Sequence, residues 1–220
     1  HYKKDWRKVN STRIHPILGY TTEPNSSWNF SHREWSASVK TNSDSFRGKE
    51  FDLNNNNRRI IWIGDSIIQA PQVNEEKTSV KLLEDKIKRK LDENFVVNNF
   101  GTGSWSVITY YNALRIYIPK LKPNIIIVTI FHNDLNADYW REQKENVKRN
   151  KNGLIIEQGI EPLLEEKTSV LTENYFSCLP IQAFKNIKQK EFHHPDGPEF
   201  FDLFNNPNEI FSVSKKYLEG

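Results

Sequence analysis

The sequence predicts an α/β fold: a three-layer sandwich with a central parallel sheet, preceded by an extended N-terminal segment. From residue 59 onward, apolar runs typical of buried strands alternate with amphipathic helical patterns. This order of strand, helix, strand, helix, strand favours parallel pairing with right-handed crossovers. The preceding residues are polar and lack helical periodicity. We therefore expect an N-terminal extended or β segment over residues 1–58, packed on a main domain over residues 59–220.

The N-terminal segment contains one clear strand pattern. Trp35, Ala37 and Val39 alternate with polar residues, which predicts a short, half-buried strand. The run of asparagines at residues 54–57 predicts a surface loop just before the main domain begins.

Three apolar runs predict the strands of the main domain. They read RIIWIG at 59–64, NFVVNNFG at 94–101 and KPNIIIVTIF at 122–131. A continuous apolar run of the first kind is typical of a parallel strand covered on both faces of its sheet. The third run is the most apolar stretch of the chain.

Two amphipathic patterns predict helices between these strands, with apolar residues three and four positions apart. The first, at 77–93, places Val80, Leu83, Ile87 and Leu91 on one face. The second, at 106–122, places Val107, Tyr111, Leu114, Ile118 and Leu121 on one stripe. After the third strand the patterns weaken. We expect a charged helix over 136–150, a short strand near 150–157 and a short helix around 182–189.

The composition excludes several classes of function. The net charge of +3 arises from 31 basic and 28 acidic residues that are mostly interspersed, an imbalance too weak to indicate a nucleic-acid or anionic-membrane partner, and we expect no nucleic-acid partner. No apolar run approaches the ~20 residues that span a bilayer. Cys178 is the single cysteine, so no intrachain disulfide forms. Because the sequence contains no methionine, we expect that residues upstream of its first position were removed.

Polar residues follow each of the three predicted strands. They are Gly64-Asp65-Ser66, the stretch NNFGTGSWS at 98–106, and His132-Asn133-Asp134. The carboxyl ends of parallel strands share one edge of the sheet, where functional groups of such folds collect. The simplest interpretation of the first group is a helix cap at Asp65 or Ser66. The alternative is acyl transfer, in which Ser66 supplies a hydroxyl, and backbone amides of residues 101–106 and the Asn133 side chain supply oxyanion donors.

The motifs GDS, NFGTGS and HND, each closing a predicted strand, resemble those of the SGNH hydrolases, also called the GDSL esterase/lipase family. The resemblance extends over roughly residues 15–136. It implies an SGNH or flavodoxin-like sheet, a nucleophile at Ser66, and an oxyanion hole formed by the Ser66 amide, the backbone at Gly103 and Ser104, and Asn133. No metal or organic cofactor is implied.

The segments HPILGY and TNSDSFRGKEF resemble those that precede the first motif in extracytoplasmic bacterial members of that family. This likeness implies a location outside the cytoplasm and an acyl or acetyl ester of a carbohydrate or lipid as the substrate. Trp105, beside the second motif, either lines the pocket or packs in the core.

The catalytic base is the departure from the family pattern. An Asp-x-x-His sequence supplies the base in the family, and none occurs in this chain. The nearest equivalent is Glu191 with His194, next to His193, although a solvated turn also fits that stretch. His132 adjoins Asn133, but neighbouring side chains at a strand end face opposite ways, which makes it a poor base for Ser66.

Two explanations of this departure stay open. The chain is a fragment whose base lies downstream, or it is a non-catalytic relative that binds a glycan or a partner. A separate and more remote hypothesis for the whole chain is a flavodoxin-like nucleotide binder that uses the first strand's turn as an anion site.

Overall fold

The computed structural model describes residues 12–31, 34–53, 57–90, 94–158 and 207–219. The strands are β1 (Thr12–His15), β2 (Gly19–Thr22), β3 (Ser27–Ser31), β4 (Ser36–Lys40), β5 (Arg58–Gly64), β6 (Phe95–Gly101), β7 (Ile125–Val128), β8 (Lys148–Arg149) and β9 (Ile155–Glu157). The helices are α1 (Ser66–Gln69), α2 (Ser79–Lys90), α3 (Val107–Leu121), α4 (His132–Glu142) and α5 (Pro207–Glu219), with a 3₁₀ turn at Glu75–Lys77.

A three-stranded parallel sheet flanked by helices forms the centre of the molecule, which confirms the prediction of an α/β fold. The strand order is β6-β5-β7, and both neighbours of β5 run parallel to it. The register places Ile63 of β5 opposite Phe100 of β6 and Val128 of β7. The interior of β5 is buried except at Trp62, which is half-buried. All three predicted strands are therefore present.

The third strand is shorter and more exposed than its apolar sequence predicts. It covers four residues, and Ile125, Ile126 and Val128 are 47%, 37% and 38% exposed. Among the described strands, β7 pairs with β5 alone. Its outer edge and much of both faces therefore lie open within the described part of the chain.

The first predicted helix is confirmed as α2. The Thr78 hydroxyl accepts a hydrogen bond from the backbone N–H of Lys81 at 3.2 Å, which caps its amino end. Val80 is buried, and Leu83 and Ile87 pack beside it against the sheet, as their spacing predicts. Leu91, the fourth residue of the predicted stripe, lies outside the described residues.

The second predicted helix is confirmed as α3, but the buried face predicted for it is wrong in part. Ile118, a member of the predicted stripe, is 40% exposed. Tyr110, Ala113 and Tyr117 are buried instead. The helix contacts the sheet on one side and α4, α5 and β9 on others, so its buried surface is too broad for a single apolar stripe to describe.

The N-terminal segment forms two antiparallel hairpins, β1–β2 and β3–β4. The strand predicted from Trp35, Ala37 and Val39 is confirmed as β4. Between β4 and β5, Phe46 is 1% exposed and stacks on Phe100 of β6 with ring centroids 4.1 Å apart. A cluster of aromatic rings thus joins this segment to the sheet.

Helix α4 begins and ends earlier than predicted. It starts at His132, within the third motif, and ends at Glu142, whereas the charged pattern predicted a helix over 136–150. The hairpin β8–β9 follows and contains the short strand predicted near 150–157. The predicted helix around 182–189 and most of the predicted loop at 54–57 lie outside the described residues. No helix in the described ranges is both long enough and apolar enough to cross a membrane.

Candidate functional site

Ser66 is the first residue of α1 and follows the central strand of the sheet by two residues. Asp65 caps this helix, because its carboxylate accepts a hydrogen bond from the N–H of Ile67 at 2.8 Å. Ser66 is half-buried, and its hydroxyl hydrogen-bonds the Asp65 carboxylate. The capping predicted at this turn is therefore confirmed for Asp65, and it leaves Ser66 at the carboxyl edge of the sheet.

Two glycines allow α1 to lie directly against the strand ends. A Cβ atom on Gly101 would lie 2.1 Å from the backbone nitrogen of Gln69. One on Gly64 would lie 2.4 Å from Cγ1 of Ile68. Real Cβ atoms do not approach neighbours this closely, so any side chain at either position would push α1 away from the sheet.

The second motif forms a turn beside α1. The N–H of Thr102 donates to the carbonyl of Gly64 at 3.1 Å, which joins this turn to the end of β5. The N–H of Gly103, a predicted oxyanion donor, donates to Oε1 of Gln69 at 3.2 Å. Ser104 has a φ of 60°, in the left-handed region, and its carbonyl accepts a hydrogen bond from Arg141. A substrate oxygen would therefore have to displace the Gln69 side chain from Gly103.

Trp105 belongs to the core and does not line the rim. It is 1% exposed, and its indole N–H donates to the carbonyl of Tyr20 at 3.0 Å. The phenol of Tyr20 in turn donates to the carbonyl of Gly103 at 2.9 Å. These two hydrogen bonds join strand β2 to the second motif and fix their relative positions.

Asn133 lies in the first turn of α4, five residues after the end of β7. The N–H of Thr129 donates to the carbonyl of Ile63 at 2.9 Å, which keeps the start of this connection at the end of β5. Oδ1 of Asn133 is buried and has no hydrogen-bond partner in the structure. Burial raises the pKa of the Asp65 carboxyl, and the nearby His132, which is exposed, offsets a small part of that rise.

The predicted site residues therefore lie at the ends of three adjacent strands. Ser66 follows β5, Gly103 and Ser104 follow β6, and Asn133 follows β7. His132 and Asp134, which flank Asn133, both interact electrostatically with Asp65. The first and third motifs thus meet at one edge of the sheet.

A buried carboxylic acid, which sequence reasoning missed, lies beneath this edge. Asp134 is fully buried, and its Oδ2 accepts hydrogen bonds from the Phe131 N–H at 2.8 Å and the Tyr110 hydroxyl at 3.0 Å. Burial raises the pKa of Asp134 to about 8, and the negative charge of nearby Asp65 contributes to the rise. Oδ1 of Asp134 is buried without a partner. This acid is therefore largely protonated at neutral pH.

A second buried carboxylate anchors α4 to the neighbouring helices. Asp138 accepts hydrogen bonds from the Ile108 N–H at 2.9 Å and the Ser214 hydroxyl at 2.7 Å. Ser106, which precedes α3, donates a third. Asp134, Asp138 and Arg141 are spaced by four and three residues, so they share one face of α4. That spacing is the signal by which the sequence could have revealed the inward-facing polar side of α4.

Two histidines lie among the described residues. Nδ1 of His15 accepts hydrogen bonds from the N–H groups of Ile17 and Leu18, which occupies it in the β1–β2 turn. His132 begins a helix, so the alternation of a strand does not apply to it, and that reason for dismissing it as a base is wrong. Glu191, His193 and His194 lie outside the described residues. Within the described ranges, no group of three potential metal ligands is found.

No model of a known protein family matches the sequence, and no curated protein matches it.

Proposed function

We propose that this protein is a serine ester hydrolase or acyltransferase whose sheet and helices form a three-layer sandwich of the SGNH type. The observation that carries the proposal is the position of Ser66. A half-buried hydroxyl begins a helix directly after the central strand, and Thr129, three residues before α4 begins, donates its N–H to the carbonyl of Ile63 at the end of that strand. The proposed substrate is an acyl or acetyl ester of a carbohydrate or lipid, held outside the cytoplasm.

In the proposed reaction, the Ser66 hydroxyl oxygen attacks the ester carbonyl carbon, and a base takes its proton. The alcohol leaves with that proton, and the acyl group stays bound to Ser66. Water then releases a free acid, or a second alcohol accepts the acyl group. The N–H groups of Ser66 and Gly103 and the Asn133 amide stabilise the negative oxygen at each stage, and each such donor is typically worth about 3–4 kcal/mol.

The base of the proposed reaction is a histidine, and the chain offers two candidates. His132 lies at the site, one residue before Asn133. His194 follows Glu191 in a Glu-x-x-His sequence that resembles the family's motif. His132→Gln and His194→Gln distinguish them, because the acid limb of the pH–rate profile disappears with the true base.

The test of the proposal compares two serine variants on p-nitrophenyl acetate. Ser66→Ala removes the proposed nucleophile. Ser79→Ala is the matched control, because Ser79 also begins a helix but is exposed and belongs to none of the three motifs. We expect Ser66→Ala to lose about 10⁴-fold or more of kcat and Ser79→Ala to keep full activity. Equal activity of both variants would contradict the proposal.

A non-catalytic domain that binds a glycan or a protein partner is the second candidate function. Two observations favour it: Oε1 of Gln69 occupies the N–H of Gly103, and the chain lacks an Asp-x-x-His sequence. In that case, wild type would show no ester turnover above the Ser66→Ala background, while a glycan would still bind at the rim. Ester hydrolysis that depends on Ser66 would exclude this candidate.

A further inference from the structure

Arg47, in the segment between β4 and β5, is a buried cation whose hydrogen bonds surround the end of α1. Its side chain is 0% exposed. An arginine side chain carries five N–H donors in a rigid plane. The acceptors are the carbonyls of Gln69 at 2.9 Å, Ala70, Val73 at 2.7 Å and Ser38 at 3.5 Å, and Oε2 of Glu75 at 2.9 Å. Its contacts thus collect at the carboxyl end of the helix that Ser66 begins.

Helix α1 needs such support because its own stability is small. It is four residues long, far below the length at which a helix is stable by itself. It is followed by the capping residue Ala70, whose φ of 50° and ψ of 53° belong to the left-handed region that residues with a Cβ seldom adopt. Buried carbonyls at a helix end also require donors, and Arg47 supplies them at Gln69 and Ala70.

A chain of contacts leads from Arg47 to both halves of the proposed site. Arg47 binds the carbonyl of Ala70, and the N–H of Ala70 donates to the carbonyl of Ser66 at 2.8 Å. Arg47 also binds the carbonyl of Gln69, whose side chain receives the N–H of Gly103. Displacing the guanidinium would therefore release the nucleophile's helix and the second motif together.

We propose that Arg47 is a positioning residue that fixes Ser66 relative to the backbone donors of the second motif by holding the carboxyl end of α1. This inference rests on the proposed function and deepens it. Arg47 does not touch the substrate. Its effect on the rate comes from geometry, since a displacement of about 1 Å at a reacting group costs up to about 100-fold.

The experiment compares Arg47→Lys with Arg59→Lys, because the chain contains a matched buried arginine. Arg59 is 6% exposed and binds the carbonyls of Asp52 at 2.8 Å and Leu121 at 3.2 Å, at the end of α3 and the opposite end of β5. Lysine keeps the charge at each position but cannot reproduce the planar set of donors. The readouts are kcat and KM on p-nitrophenyl acetate, the unfolding midpoint in urea, and amide hydrogen exchange of α1 by mass spectrometry.

We expect Arg47→Lys to lower kcat by about 10- to 100-fold with little change in KM, and to speed amide exchange in α1 by about tenfold. Arg59→Lys should lower the urea midpoint but leave kcat within about twofold and α1 exchange unchanged. Equal losses of kcat in both variants, or unchanged α1 exchange in Arg47→Lys, would overturn the inference.

Two further arms keep the test decisive. If Arg47→Lys does not fold, Glu75→Ala replaces it, with Asp85→Ala, an exposed acid paired with Lys81, as its control. We then expect a loss of kcat of about threefold in Glu75→Ala alone, and equal kcat in the two variants would overturn the inference. If the wild type shows no ester turnover, the proposed function fails, and α1 exchange alone decides whether Arg47 holds that helix.

Discussion

At the amino end of β5, the Arg59 side chain binds the carbonyl of Leu121 at the end of α3, and Oδ1 of Asn124 accepts the backbone N–H of Arg59 at 2.8 Å. At the carboxyl end, Arg47 binds carbonyls at the end of α1. Both ends of the strand therefore use a buried arginine to satisfy a helix terminus. They differ in what they leave accessible, because the carboxyl end alone combines a half-buried serine with the third motif.

This difference separates scaffold from candidate chemistry. Substitutions at the amino end should lower the free energy of unfolding without a specific effect on turnover. Removal of the Ser66 hydroxyl or the Asn133 amide at the carboxyl rim should lower turnover and change the free energy of unfolding little. Four predictions, from the largest expected effect to the smallest, sharpen or break this contrast.

Asn133→Ala should have the largest effect on activity. It removes one oxyanion donor, so kcat on p-nitrophenyl acetate should fall about 10²- to 10³-fold. The free energy of unfolding should change by less than about 0.5 kcal/mol, because Oδ1 of Asn133 has no partner to lose. A variant that loses stability and keeps its kcat would reverse the assignment of this end of β5.

Gly101→Ala should disturb the rim and the fold together. The new Cβ would lie 2.1 Å from the Gln69 nitrogen, so α1 must shift away from β6. We expect a loss of about 1–3 kcal/mol in urea unfolding, with a fall in kcat beyond that explained by the unfolded fraction. Normal kcat in the folded variant would mean that the close contact between α1 and β6 does not determine the position of Ser66.

Asp134→Asn should change how stability depends on pH. Asp134 has a folded-state pKa of about 8, far above its unfolded value near 4, so the folded state holds the extra proton between these pH values. Stability of the wild type should therefore fall as pH rises from about 4 to about 8, by up to about 5 kcal/mol from this group. Asparagine can still accept from Tyr110 and Phe131, so the variant should lack this part of the slope. Identical slopes in urea unfolding from pH 4.5 to 8.5 would contradict the assignment.

Asn124→Ala, at the amino end of β5, should have the smallest effect and serves as the control for Asn133→Ala. It leaves the Arg59 N–H without its acceptor, which should cost about 1–2 kcal/mol of unfolding free energy. Turnover per folded molecule should match the wild type. A selective fall in kcat would show that the two ends of β5 do not divide scaffold from chemistry.

The strands and α2 could be predicted because their signals are local. The run from Ile60 to Ile63 is apolar without interruption, and Val80, Leu83 and Ile87 recur at helical spacing. The meeting of the three motifs at one sheet edge also followed from strand order alone, since parallel strands share their carboxyl ends.

The internal support of the site could not be predicted, because its partners are distant in sequence. Arg47 meets Gln69 and Val73 across 22 and 26 residues, and no periodicity marks such a pair. The start of α4 was missed for a different reason. Three polar residues after an apolar run resemble a loop. In the structure they form a helical turn in which Asp134 is buried, and the Tyr110 hydroxyl of α3, distant in sequence, donates a hydrogen bond to it.

The central claim concerns a single oxygen atom, the hydroxyl of Ser66. The most direct measurement is the rate of labelling by a fluorophosphonate probe, with the modified peptide located by mass spectrometry in the wild type, Ser66→Ala and Ser79→Ala. We predict one adduct, on Ser66, that forms at the same rate in the wild type and Ser79→Ala and is absent from Ser66→Ala. Labelling of wild type and Ser66→Ala at equal rates, or no labelling of the wild type, would contradict the account.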